Sequence, residues 1–121
     1  MVEFNQGWAK DAAVLVLCVS KMTFEHNGET SVTNSFDAGA ACENLALQGW
    51  LKGYIVHGMQ GFNYELAKTA LSIPEGYRVE AMLAVGKPGD ANRLPEVLRE
   101  REAPSGRKLL AKIVCEGAFS F

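Results

Sequence analysis

The chain has 121 residues, a length that fits one domain, and 48% of them are hydrophobic, enough to build a core. Charged residues make up 21% with both signs interspersed, which excludes a disordered polyelectrolyte. The net charge of −2 argues against nucleic-acid binding, which needs a basic face to neutralise phosphates.

Residues 1–11 read as a short lead-in, with Trp8 plugging the edge of the core. No basic, then apolar, leader pattern follows Met1, so a cytoplasmic protein is expected. Ala12 to Val19 is apolar at every position and reads as a strand covered on both faces. That run is far too short to span a bilayer, so no membrane role is expected. Ser20 to Thr33 is polar, has Asn27-Gly28 at its centre, and reads as a turn.

Asn34 is placed to cap a helix over 35–52, with Asp37 near its positive end. The apolar positions Phe36, Ala40, Leu47 and Leu51, with Ala41 and Leu45 beside them, suit a buried face. Gly53 is placed to end the helix. Tyr54 to Val56 is a short β-prone run, followed by a loop His57-Gly58-Met59-Gln60-Gly61. Asn63 is placed to cap a second helix through Leu71, and Pro74-Glu75-Gly76 makes a turn. Tyr77 to Gly86 alternates as a strand should. Lys87-Pro88-Gly89-Asp90 ends it. Leu94 to Arg101 reads as a short helix, broken by Ala103-Pro104-Ser105-Gly106. Leu109 to Phe121 reads as a terminal strand or as an arm lying on a partner.

The order strand, helix, strand, helix, strand implies an α/β layered sandwich: a small mixed sheet flanked by helices, with parallel pairings through helical crossovers. So few strands leave long edges, which favours pairing with a second chain.

Three features bear on chemistry. The loop His57-Gly58-Met59-Gln60-Gly61 follows a strand, where α/β sheets tend to hold ligands. Its glycines let a flat ligand approach the backbone, and its N–H groups suit ring heteroatoms; the same glycines also suit a plain tight connection. Arg107-Lys108 lies in the most basic stretch of the chain. An arginine fork there suits a phosphate; a solvated charged surface balanced by Glu96, Glu100 and Glu102 is the plainer reading of the residues alone. His57 reads either as a hydrogen-bonding group toward a ligand or as a structural histidine. Cys18, Cys42 and Cys115 are odd in number and widely spaced, so no disulfide framework or zinc site is expected, only reduced thiols. Dinucleotide, P-loop, nucleophile-elbow and zinc-protease signatures are lacking.

Taken together, certain segments resemble the nitroreductase family. They are Asn5-Gln6-Gly7-Trp8-Ala9-Lys10-Asp11-Ala12, the stretch from Asp37 to Gln48, His57-Gly58-Met59-Gln60-Gly61-Phe62, Ile73-Pro74-Glu75-Gly76-Tyr77 and Arg101-Glu102-Ala103-Pro104-Ser105-Gly106-Arg107-Lys108. The resemblance covers the C-terminal portion of the family fold. It implies a homodimer, built through helix 35–52 and the C-terminal segment, with FMN at the subunit interface. It implies electron transfer from NAD(P)H to nitroaromatic or quinone-type acceptors. On the same basis His57, Gly58, Met59, Gln60 and Gly61 lie against the flavin ring, and Arg107 with Lys108 holds the phosphate. Two departures stand out. The family's N-terminal R-x-S-x-R phosphate motif does not precede Trp8, and Trp50 stands where small residues are usual. The alternative expectation is therefore a truncated, non-catalytic relative that serves as an oligomeric ligand- or protein-binding module.

Overall fold

A computed structural model describes residues 1–119. Residues 1–88 form one compact unit and the chain from Gly89 onward forms another. The first unit contains, in order, α1 (Glu3–Ala9), β1 (Val14–Lys21), α2 (Asn34–Leu51), β2 (Ile55–Met59), α3 (Tyr64–Ala70) and β3 (Tyr77–Gly86).

The three strands form one sheet in the order β1-β3-β2, and both pairings are antiparallel. The expected parallel pairings are thus corrected. The crossover itself is real: α2 connects β1 to β2, which run in the same direction because each opposes β3. That connection overshoots by one strand position, and β3 fills the gap, as in a split β-α-β unit. Helices between strands are visible in a sequence pattern; which strand becomes the neighbour is not.

The helix α2 lies against the sheet. Its partly buried positions are Asn34, Ala38, Cys42, Ala46 and Gly49, spaced at one helical turn. These are small residues, and they permit close approach. A methyl group added at Gly49 would stand 2.7 Å from Val56 Cγ2. Cys18 Sγ on β1 lies 3.9 Å from the Ala38 carbonyl and donates to it. The large apolar residues take the opposite side. Phe36 is 77% exposed, Trp50 69% and Leu51 78%, and no residue of α2 is buried within this chain. The expected burial of Phe36, Leu47 and Leu51 is therefore reversed as far as a single chain goes.

Both ends of α2 are fastened. At its end Gly53 adopts φ +77°, its N–H bonds to Trp50 O, and the Tyr54 N–H bonds to Gly49 O. This is the glycine-ended helix stop that the sequence suggests. At its start the expected cap is corrected. Thr33 occupies the cap position and makes no side-chain cap bond, while Asn34 is already helical. The Asn34 side chain instead donates to Ser31 O, and its Oδ1 lies 3.0 Å from Ser20 Oγ. A bulge between Cys18 and Val19 leaves Glu80 unpaired between the partners Val79 and Ala81. The bulge aims the Glu80 carboxylate at the first turn of α2, where it accepts from Ser20 Oγ and, at 2.8 Å, from Ser35 Oγ. Negative charge there complements the helix dipole.

The other face of the sheet carries the small core. Ala9 of α1 packs with Met59 and Ala84, and Met1, Trp8, Ala12 and Met82 pack around them. The lead-in is thus a helix rather than irregular chain. β1 starts at Val14 and extends to Lys21, two residues later at each end than the apolar run suggests. Val14, Leu15 and Val19 stay exposed in the single chain, against the expectation of a strand covered on both faces.

From Gly89 onward the chain has only short helical turns: Ala91–Arg93, α4 (Glu96–Arg99) and Leu110–Lys112. The described part of the expected terminal strand over 109–121 is not a strand; Leu109, Leu110, Ile113 and Val114 are exposed. Residues 120 and 121 lie outside the described residues. No helix among the described residues is long and apolar enough to cross a membrane.

Candidate functional site

The site grows from the end of β2. His57, Gly58 and Met59 are strand residues paired with Ala84, Leu83 and Met82, so the expected loop begins only at Gln60. Met59 is buried in the core. A side chain at Gly58 would meet Leu83 Cδ2 at 3.4 Å, an ordinary contact. His57 is exposed, and its ring meets Trp8 edge-on, with centroids 4.6 Å apart.

Gln60 and Gly61 form a tight turn. The Phe62 N–H donates to Gln60 O at 2.9 Å, closing a three-residue turn around Gly61. The Gly61 carbonyl in turn accepts from Val2 N at 2.9 Å and from Asn5 Nδ2 at 3.1 Å. Both carbonyls of the turn are thereby occupied. Among the described residues the N–H groups of Gln60 and Gly61 take no partner. Backbone amides left without a partner beside fixed carbonyls are able to donate to a group from outside. A side chain at position 61 would displace the Asn5 amide: a Cβ there would stand 2.5 Å from Asn5 Nδ2 and 3.0 Å from Val2 Cγ2.

The far side of the turn is anchored as well. Phe62 is buried and stacks on Tyr64 with centroids 4.1 Å apart. Asn63 caps α3 as expected, its side chain accepting from Leu66 N at 2.8 Å.

Arg107 and Lys108 belong to the second unit and are exposed. Arg107 Nη1 donates to Ser105 O at 3.0 Å and to Ser105 Oγ at 2.9 Å, within its own turn. Sequence reasoning did not find the roles of Val2 and Asn5. Asn5 lies in the lead-in motif, but nothing in its spacing points to a contact with Gly61, fifty-six positions on.

Beneath α2, Cys18 is a poor nucleophile. Burial first, then the neighbouring Cys42 thiol and the Glu80 carboxylate, push the Cys18 thiol up to about 12. Cys18, Cys42 and Cys115 are all free. Among the described residues no group of three or more His, Cys, Asp or Glu side chains is placed to hold a metal ion.

The model of the nitroreductase family matches residues 1–87. This chain belongs to the nitroreductase family. A solved oxidoreductase described as containing FMN is 46% identical, with a TM-score of 0.93 over 99% of this chain and 62% of its own. A nitroreductase family protein from Clostridium difficile 630 is 19% identical, with a TM-score of 0.63 over 90% of this chain and 62% of its own, a likeness of fold. An uncharacterized 15.4 kDa protein of Mycolicibacterium smegmatis is 30% identical over 88% of this chain and 70% of its own length. The chain thus spans 62% of the length of each of those two solved structures. Its α/β fold, a small sheet flanked by helices, is the family's.

Proposed function

We propose that this nitroreductase-family chain is an FMN-binding oxidoreductase that takes electrons from NAD(P)H and passes them to nitroaromatic or quinone-type acceptors. The observation that carries the reading is the turn at Gln60 and Gly61. Its two consecutive amide donors follow the carboxyl end of a strand and take no partner among the described residues, and both carbonyls are held. A flavin ring presents carbonyl oxygens and ring nitrogens along one edge, so the donor set fits the group. The 46% identity to an oxidoreductase described as containing FMN supports the same reading.

In this reading Gln60 and Gly61 donate to the ring, Gly58 and Met59 support it from the strand, and His57 with Trp8 borders it. Arg107 and Lys108 lie in the second unit, and a guanidinium fork there is suited to a phosphate. FMN, when bound, supplies the hydride and electron chemistry; the protein supplies orientation and electrostatics.

A second copy of the chain is part of the proposal. The outer face of α2 exposes Phe36, Leu47, Trp50 and Leu51 together, a patch that a second α2 would cover. The C-terminal segment, with Leu109, Leu110, Ile113 and Val114 exposed, is assigned to the same assembly. The same patch equally serves the alternative of a non-catalytic oligomeric binding module, and one titration separates the two. FMN fluorescence should quench on adding the protein. The Arg107→Ala variant should bind about tenfold or more weakly, the cost of a lost charged hydrogen bond. A dimer that leaves FMN fluorescence unchanged at saturation would leave the binding-module reading standing and overturn the oxidoreductase.

A further inference from the structure

The Gly61 turn contains a chain of hydrogen bonds that starts at a side chain and ends at an open donor. Asn5 Nδ2 donates to the Gly61 carbonyl at 3.1 Å, joined there by the Val2 N–H at 2.9 Å. That carbonyl belongs to the same peptide unit as the Phe62 N–H. The Phe62 N–H donates to the Gln60 carbonyl at 2.9 Å. The Gln60 carbonyl in turn shares its peptide unit with the Gly61 N–H, which takes no partner among the described residues. Each bond polarises the next peptide unit in the same sense, because drawing electron density toward a carbonyl oxygen makes the N–H of that unit a better donor.

We infer that Asn5 is a positioning residue for the ligand-binding edge: it orients the Gly61 turn and strengthens the Gly61 N–H as a donor through this relay. The inference rests on the proposed use of the Gln60–Gly61 edge for a flavin. Asn5 does not touch the ligand. It holds the peptide planes on either side of Gly61, together with the Val2 N–H, and leaves the Gly61 N–H without a partner among the described residues. The space at position 61 belongs to the same device. A Cβ there would stand 2.5 Å from Asn5 Nδ2, so glycine is what lets the amide reach the carbonyl. Gln6, the next residue of α1, serves as an internal comparison, because its Nε2 donates to Met1 O and not to the turn.

The test uses Asn5→Ala, Asn5→Asp and Gln6→Ala in the full chain, with two readouts. The first needs no flavin: the amide proton shifts of Gly61 and Phe62 by NMR. Both should move upfield in Asn5→Ala, as their hydrogen-bonding character weakens, and stay in place in Gln6→Ala. The second is FMN affinity with the visible spectrum of the bound flavin. Asn5→Ala should bind about fivefold more weakly, in line with one net hydrogen bond, and shift the flavin band. Asn5→Asp decides between relay and packing. The aspartate is isosteric, so a packing role predicts that it behaves better than alanine. A carboxylate facing a carbonyl cannot donate, so the relay predicts that it behaves worse. Unmoved Gly61 and Phe62 shifts, or Asn5→Asp outperforming Asn5→Ala, would overturn the inference. A parent chain that ignores FMN while its Gly61 shift still answers to Asn5 would sink the flavin reading and leave the relay intact.

Discussion

Trp50 offers the sharpest test of the proposed dimer. It is 69% exposed on the outer face of α2, between Leu47 and Leu51. An aromatic side chain has about 200 Å² to bury, so about 140 Å² of Trp50 remains in water. At about 25 cal/mol per Å², covering it is worth about 3.5 kcal/mol per copy. In a twofold dimer the same residue counts twice, giving about 7 kcal/mol as an upper limit. Binding also orders side chains, so less than half of that should survive as affinity, about 3 kcal/mol. Trp50→Ala should therefore raise the dimer dissociation constant by about two orders of magnitude. Within the single chain Trp50 packs little, so the folding stability of the monomer should change by no more than about 0.5 kcal/mol. Sedimentation equilibrium across a concentration series measures the first quantity, and urea melts at low concentration measures the second. A parent that stays monomeric at high micromolar concentration, or a Trp50→Ala variant that dimerises as the parent does, would refute the assignment of this face to a second copy.

Other expectations follow from the packing beneath α2. Gly49→Ala gains about 1 kcal/mol of helix propensity, but its methyl group meets Val56 Cγ2 at 2.7 Å, and overpacking costs about 1–3 kcal/mol. Thermal melts should show net destabilisation, turning to stabilisation when Val56→Ala is added; a destabilising effect that persists in the double variant would count against the clash. Glu80→Ala removes the acceptor shared by Ser20 and Ser35 and should cost about 1.5–3 kcal/mol, with Glu80→Gln recovering most of it. A urea midpoint unchanged in Glu80→Ala would mean that the bulge does not fasten α2. The Cys18 thiol, raised from 9.0 to about 12, keeps its proton in the folded chain where the unfolded chain loses it. Its contribution to stability is thus complete below pH 9 and fades as pH rises from there toward 12. Melting temperatures between pH 8 and 10.5 should fall more steeply in the parent than in Cys18→Ala, and equal slopes would contradict the burial of that thiol.

How far the fold can be read from sequence differs from element to element, for physical reasons. β3 is read to the residue because Tyr77 to Gly86 alternates and is bounded by turn formers, both local signals. The C-terminal stop of α2 is equally local: Gly53 alone relieves the positive φ. The face of α2 is a different matter. Hydrophobicity points Phe36, Leu47 and Leu51 inward, since apolar residues favour burial. Yet the sheet accepts only a close helix, and Asn34, Ala38, Cys42, Ala46 and Gly49 are the stripe small enough to give one. The large residues are left on the outer face of α2, exposed in the single chain. An amphipathic pattern therefore says that a face is to be covered, not by which molecule. The same holds for the site. Gly58 and Gly61 are visible as glycines, but they do different work. Gly58 is a strand residue where a Cβ would make only an ordinary contact with Leu83. Gly61 is a glycine because Asn5, fifty-six positions away, occupies the space its side chain would take. No local pattern contains that contact. It arises when α1 lies on the face of the sheet through Ala9, Met59 and Ala84, which brings Val2 and Asn5 to the end of β2. The turn at Gln60 and Gly61 lies inside the stretch that the sequence marks, while His57, Gly58 and Met59 before it are strand; which of its amides keep no partner is decided only when the tertiary fold has settled which carbonyls are taken.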